Sequence, residues 1–280
     1  MGFVRYELSE FGGEIWLGDS REVLAILPEN SADMVFADPP YNLQLRQDLE
    51  RPDGTIYRGV TEDWDKFESF EDYDAFTVSW LSAVRRVMKP DATIWVMGTY
   101  HNIFRVGKIM QDLGFWILND IIWHKVNPPP NFRGVRFQHV TETIIWAAYS
   151  KKSRYVFNYK LMKALNGGKQ MQSVWRLPIC QGSERLRSPD GTRLHPAQKP
   201  LLLLERIVLA STRENDLVLD PFLGTGTTAV AAVRHKRRFI GIDISDVYVQ
   251  AAINRIRGLS PPLFSDVPES AAEREKPPIL

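Results

Sequence analysis

Short apolar runs alternate with amphipathic stretches along most of the chain. Residues 14–18 (Glu-Ile-Trp-Leu-Gly) predict a strand ended by Asp19, 21–27 a helix closed by Pro28, and 33–37 a second strand whose Met-Val-Phe-Ala run stops at Asp38. These make a βαβ unit. Helical spacing of Phe76, Trp80, Val84 and Val87 predicts a helix over 70–88. A strand at 93–97, a helix at 101–113 ended by Gly114 and an extended run at 115–124 follow. This alternation predicts an α/β fold with a doubly wound, mostly parallel sheet.

The pattern breaks twice. Residues 42–67 carry many charges and little periodicity, which marks a functional or mobile loop; its Trp64 is an aromatic that such a loop can present to a ligand, although packing is the commoner role. Residues 125–139 include Asn127-Pro128-Pro129-Pro130-Asn131-Phe132-Arg133, which supports neither a long helix nor a central strand. One more strand is expected at 143–149, then an irregular basic stretch over 150–194 with Tyr155, Phe157, Tyr159 and Trp175. Regularity returns with a helix at 200–211, a strand at 216–220, a helix at 226–235, a strand at 238–242 ending at Asp243, and a helix at 247–257. The expected division is 1–124 and 195–259 as two halves of one catalytic domain, 125–194 as an inserted recognition region, and 260–280 as a flexible tail rich in Pro, Glu and Ser.

Charge sharpens the picture of the insertion. The chain of 280 residues is nearly neutral at +1, yet 151–200, opening with Lys151 and Lys152, holds eleven Lys/Arg against two acids. Such a segment suits phosphate contacts or, as commonly, a solvated surface. A single cysteine excludes an internal disulfide, and five scattered histidines show no metal-ligand spacing, so no metal is expected. No apolar run is long enough for a bilayer, and residues 1–10 lack a signal-peptide form, so the expected location is the cytoplasm.

Two motifs carry the chemistry. Asp38-Pro39-Pro40-Tyr41 follows a buried strand, where a carboxylate, two residues without N–H and an aromatic ring build a rigid corner at the edge where open α/β sheets bind ligands. Alone, it reads equally as a strand-ending turn. Asp220-Pro221-Phe222-Leu223-Gly224-Thr225-Gly226-Thr227 lies between a strand and a helix, and its glycines allow a tight turn and close ligand approach. Asp243, seventeen residues after Gly226, ends the next strand where a carboxylate can hold ribose hydroxyls. Together these specify an adenosine-containing cofactor. Gly224, Gly226 and Ala229 also fit a dinucleotide fingerprint, so an NAD-dependent oxidoreductase is the competing enzyme reading. Only one helix and a tail follow Asp243, so the remaining strands come from the N-terminal half and the sheet is permuted in sequence order.

In this order the motifs resemble those of the amino-methylating DNA methyltransferases of the β arrangement, from about residue 14 to 257. His195-Pro196-Ala197-Gln198-Lys199-Pro200 resembles the segment of that family that contacts the methionine part of the cofactor, and Gly18-Asp19-Ser20 the element touching the adenosyl group. Asn42, Phe132-Arg133-Gly134-Val135-Arg136-Phe137 and Ile145-Trp146-Ala147 are most similar to cell-cycle-regulated adenine methylases, which modify GANTC and carry a C-terminal DNA-binding domain with no counterpart in this sequence. The resemblance implies S-adenosylmethionine as cofactor, double-stranded DNA as substrate, a nucleoid-associated bacterial setting, a homodimer, and a cognate restriction endonuclease.

It further implies that Asp38 and the Pro39 carbonyl receive the two N6–H groups of a flipped adenine while Tyr41 stacks on it. Cofactor contacts would come from Asp19, His195, Gln198, Lys199, Pro200, from Asp220, Pro221, Phe222, Gly224, Thr225, Gly226 and Thr227, and from Asp243. DNA contacts would come from Asn42, Arg133, Arg136, Lys151 and Lys152. N4-cytosine methylation uses the same geometry, but Asp rather than Ser at the first motif position leans to adenine. Methylation at cytosine C5 needs a Pro-Cys nucleophile, which Cys180 in Pro178-Ile179-Cys180-Gln181 does not supply. A non-catalytic nucleic-acid-binding module is the third class; it predicts binding without methyl transfer.

Overall fold

The predicted βαβ opening forms, preceded by a strand that hydrophobic alternation does not mark. β1 (Val4–Leu8) is mostly exposed and pairs antiparallel with β2 (Gly13–Leu17); α1 (Ser20–Ile26) and β3 (Ala32–Ala37) follow. The computed structural model describes residues 2–43, 65–130 and 134–262, and the backbone of β4 (Leu49–Glu50) and β5 (Ile56–Tyr57), which form a two-residue antiparallel pair. Trp64, Phe132, Arg133 and residues 263–280 lie outside the described residues.

α2 (Phe70–Val87) buries Tyr73, Thr77, Trp80, Leu81, Val84 and Val87 on one face, starts at a Ser69 cap and leads directly into β6 (Met88–Gly98). α3 (Ile103–Asp112), β7 (Trp116–Lys125), β8 (Thr141–Ala148), α4 (Tyr159–Leu165) and β9 (Val174–Leu177) come next. The chain closes with α5 (Leu201–Ser211), β10 (Leu217–Asp220), α6 (Thr227–Arg234), β11 (Arg238–Asp243) and α7 (Asp246–Arg257).

The main sheet runs β1-β2-β11-β10-β3-β6-β8-β7-β9. β2, β11, β10, β3 and β6 are mutually parallel, and β8 lies antiparallel between β6 and β7. β10 joins β3 through Val218 opposite Met34 and Leu219 opposite Val35, so a strand from the C-terminal part sits beside one from the N-terminal part. Helices α5, α6 and α7 cover one face and α1, α2 and α3 the other, each over its own apolar cluster. This is the permuted, doubly wound sheet that motif order predicts.

The stretch 150–194 is more ordered than expected. α4 packs along α5, and β9 extends the main sheet parallel to β7. Trp175 is buried near Trp95, which stacks on Trp146 with ring centroids 4.9 Å apart. Tyr155 meets the edge of Trp146. Trp175 thus belongs to the core and Tyr155 packs against it. β9 is four residues of alternating exposure at a sheet edge, too short to stand out from the basic sequence around it.

Truncating Trp175 to Ala should lower unfolding free energy by about 3–5 kcal/mol in urea titration, the usual cost for a buried tryptophan. A loss under about 1 kcal/mol would place the ring outside the core.

Candidate active site

Because β3 and β10 are neighbours and parallel, the residues leaving their carboxyl ends emerge side by side. Asp38-Pro39-Pro40-Tyr41 leaves β3; the glycine loop leaves β10. Both line one cavity of about 570 Å³, with Asp19, His195, Lys199, Asp243 and the rings of Phe67, Phe76 and Phe222 around it. That volume is within the roughly 300–1,000 Å³ of small-molecule sites.

The Asp38 corner is held from three sides. Asp65 accepts the backbone N–H groups of Tyr41, Asn42 and Leu43 at 2.6, 2.7 and 3.0 Å. The Tyr73 hydroxyl donates to the Pro40 carbonyl at 2.9 Å, and Asn102 donates to that hydroxyl. Asn42 is buried in a left-handed conformation, φ 54°, the conformation that lets three successive N–H groups converge on one carboxylate.

The Asp38 side chain meets two donors. Lys199 Nζ lies 2.6 Å from Oδ2, and the Tyr41 hydroxyl donates to Oδ1 at 2.6 Å. That hydroxyl is also 3.1 Å from Glu142 Oε2, and the other Glu142 oxygen is 2.6 Å from Lys125 Nζ. Burial pushes the Asp38 carboxyl up and Lys199 opposes that shift. Burial also penalises the Glu142 carboxylate and the Lys199 ammonium, but the opposite charges around them prevail: Glu142 is lowered by Lys199 and Lys125, and Lys199 is raised by Asp38 and Glu142. Two anions and two cations are therefore enclosed together, and the Tyr41 phenol stays protonated, its pKa raised by burial and the adjoining carboxylates.

On the cofactor side, Gly224 (φ 53°) and Gly226 (φ 82°) are left-handed. A Cβ on Gly226 would come within 2.7 Å of Ala252 Cβ, so the turn closes onto α7 only without a side chain. Arg255 braces the loop from below, donating to the Thr225 carbonyl at 2.7 Å. Asp243 Oδ2 accepts Gly224 N–H at 2.7 Å and Oδ1 accepts Ser245 N–H at 2.9 Å, with Ile244 N–H a further donor to the same carboxylate. Asp220 Oδ1 accepts Phe222 N–H at 2.9 Å. Burial raises Asp220 to about 7 and Asp243 to about 6. Thr227 opens α6 at the cavity wall, and Pro221 and Thr225 line it.

The remaining expected residues are placed unevenly. His195 lies against Tyr248, ring centroids 4.5 Å apart, and covers Gly224; burial drives it down to about 3, so it is neutral. Asp19 caps α1 through Arg21 N–H and pairs with the Arg21 side chain while still facing the cavity. Gln198 is spent on the backbone, accepting Leu186 N–H and donating to the Glu184 carbonyl, and Pro200 precedes α5. Lys199, expected at the cofactor, is directed at Asp38. Arg136 is not among the residues lining the cavity and donates to the hydroxyl of Tyr100, just past the carboxyl end of β6, at 2.9 Å. Lys151 and Lys152 follow β8 off the opposite edge, because β8 is antiparallel, and Lys151 lies over the Trp116 ring at 5.0 Å. The structure does not bring them to Asp38.

Sequence reasoning missed Asp65, Tyr73, Lys125 and Glu142. Glu142 is one acid in the apolar run Thr143-Ile144-Ile145-Trp146 that it precedes, and that isolated position was its only signal.

The profile of the N6/N4 methyltransferase family, described as DNA methylase, matches residues 32–254. Type II methyltransferase M.HinfI of Haemophilus influenzae is 45% identical over 258 residues, covering 92% of this chain and 72% of its own. Type II methyltransferase M2.LlaDCHI of Lactococcus lactis subsp. cremoris is 47% identical over 239 residues, covering 85% and 87%. Among solved structures, the complex of M1.HpyAVI with S-adenosylmethionine superposes with a TM-score of 0.63 at 26% identity, covering 88% of this chain and 100% of that one.

The cavity fits S-adenosylmethionine: an acid at the end of β11 for hydroxyls, a glycine turn without Cβ atoms, aromatic walls, and buried carboxylates that a cation would keep ionised. In the cofactor-free protein Asp220 and Asp243 favour the fold while protonated and lose that contribution as pH rises from about 4 through 6 to 7. A sulfonium cation reverses the preference. Affinity for S-adenosylmethionine should therefore climb between about pH 5.5 and 8 more steeply than affinity for S-adenosylhomocysteine, whose sulfur is uncharged. Calorimetric titration at a series of pH values checks this; parallel profiles would contradict it.

Proposed function

The chain belongs to the N6/N4 DNA methylase family, and on that premise we propose that it is a Type II, site-specific enzyme that methylates N6 of adenine in double-stranded DNA. Its cofactor is S-adenosylmethionine. The observation that carries the reading is the single cavity shared by Asp38 and the glycine loop at adjacent strand ends.

The exocyclic amine of adenine is a weak nucleophile, because its lone pair is delocalised, and inside a duplex it is out of reach. The base is extruded into the site, where the Tyr41 ring stacks on it. Asp38 accepts one N6–H and the Pro39 carbonyl the other, which turns the lone pair into the cavity. When bound, S-adenosylmethionine supplies an electrophilic methyl on a sulfonium. Positive charge then develops on N6, and a carboxylate already fixed by its surroundings stabilises it without reorganising. Asp65 and Tyr73 supply that fixing through the backbone of the corner. Asp38 favours adenine over the N4 of cytosine, the runner-up substrate.

In this reading 125–194 is the recognition region within a domain formed by 1–124 and 195–259. Arg136 beside the carboxyl end of β6, with Val135 and Phe137 exposed next to it, supports a DNA-facing loop. Likeness of that loop to the cell-cycle adenine methylases supports a GANTC-like target. A homodimer and a cognate endonuclease belong to the same proposal.

Asp38→Ala should reduce methyl incorporation into DNA from a methylation-free host to background while leaving the affinity for S-adenosylmethionine within about threefold of the unaltered protein, since the cofactor loop lies on a different strand. Retained turnover would remove Asp38 from the chemistry.

A further inference from the structure

The Tyr41 hydroxyl has one proton and two carboxylates in reach: Asp38 Oδ1 at 2.6 Å and Glu142 Oε2 at 3.1 Å. Lys199 is shared in the same sense, 2.6 Å from Asp38 and 3.9 Å from Glu142. In the free protein both donors therefore sit on the carboxylate that the proposed reaction needs for an incoming amino group. An incoming N6–H would be a third donor on Asp38, and of the two donors already there the Tyr41 hydroxyl has a second carboxylate within reach. Glu142 is buried and is not among the residues that line the cavity, so it does not meet the substrate. It is held in place by Lys125 from β7.

We propose that Glu142 is a positioning residue for methyl transfer: it receives the Tyr41 hydroxyl and shares the Lys199 ammonium when the target amine takes its place on Asp38. The inference rests on the proposed function of Asp38. Both acceptors are within hydrogen-bond distance of one hydroxyl oxygen, so the exchange needs only rotation of the O–H about its C–O bond, and the Tyr41 ring remains free to stack. Sharing Lys199 has a second consequence. An ammonium paired only with Asp38 would oppose the cation forming on N6, whereas one drawn toward Glu142 opposes it less.

The charged and titratable groups facing this cluster are Lys199 ahead of α5, Tyr41 on the corner itself, Glu142 and Lys125 from β8 and β7, Asp65 beneath the corner, Asp220 from β10, His139 ahead of β8 against Lys125 and Glu142, and His195 against Lys199. Glu142 holds Asp38 up by like-charge repulsion. Its neutralisation should move the acid limb of the rate profile to lower pH even as the plateau falls.

The test is methyl incorporation from labelled S-adenosylmethionine into unmethylated genomic DNA by the full-length protein and its Glu142→Gln variant. The expected result is kcat down by roughly ten- to a hundredfold, the range of a displaced catalytic contact. Both KM values should stay within about threefold, and the acid limb should shift downward. Adding Tyr41→Phe should then cost less than it does in the unaltered protein, because the hydroxyl has already lost its charged acceptor at position 142. Should Glu142→Gln alone not fold, because Lys125 is left unpaired, the Glu142→Gln/Lys125→Met double variant carries the same expectations. Unchanged kcat, an unmoved acid limb, or strictly additive losses with Tyr41→Phe would each overturn the proposal. Failure of the unaltered protein to methylate DNA would instead overturn the proposed function.

Discussion

Everything at the site depends on β10 lying directly beside β3. The two strands come from opposite parts of the chain and share a short parallel register, Val218 with Met34 and Leu219 with Val35. Neighbouring strands in a sheet are about 4.8 Å apart, so the Asp38 corner and the glycine loop are delivered to one edge with their backbones already adjacent. The Lys199 to Asp38 ion pair closes the same junction at side-chain level, tying the segment before α5 to the end of β3. Slipping the register by one residue would turn every side chain of β10 to the other face and carry Asp220 away from Asp38.

The second constraint is burial of charge. Asp38, Glu142, Lys125 and Lys199 are enclosed as two anions and two cations, an arrangement that is costly to build and more costly to leave incomplete. Enclosed charge of this kind is weak support for stability, and its value here is geometric. It keeps a carboxylate ionised and aimed at an edge that is otherwise lined by aromatic rings and proline. Around the cofactor burial outweighs the hydrogen bonds that Asp220 and Asp243 accept, and both carboxyls are pushed up. The fold thus holds one acid paired with a cation for the substrate and two held by hydrogen bonds beside the glycine turn.

Much of this was legible locally. Asp38 and the glycine loop stand out because proline, glycine and short apolar runs constrain the chain through nearest neighbours alone, and the order of the two motifs matches the permuted sheet. β1 and β9 did not stand out, since both are edge strands whose half-exposed residues gain their structure from partners far away in sequence. The Trp175 ring, one of several aromatics in a basic stretch, completes the core against Trp95, a partner far away in sequence. The likeness of residues 195–200 to a cofactor-contacting segment places Lys199 at the cofactor, and only the fold shows its ammonium reaching Asp38. Glu142 carries no motif at all. Its meaning is set by Tyr41 and Lys125 across two other elements, a relation that no linear pattern encodes.

The central claim is that this cavity delivers a methyl group to the exocyclic amine of a flipped adenine. Incubating the purified protein with duplex DNA from a methylation-free host and S-adenosylmethionine bearing a deuterated methyl, followed by nucleoside mass spectrometry, tests it most directly. The account predicts the deuterium label in N6-methyl-2′-deoxyadenosine. Label in N4-methyl-2′-deoxycytidine, or in no nucleoside, would contradict it.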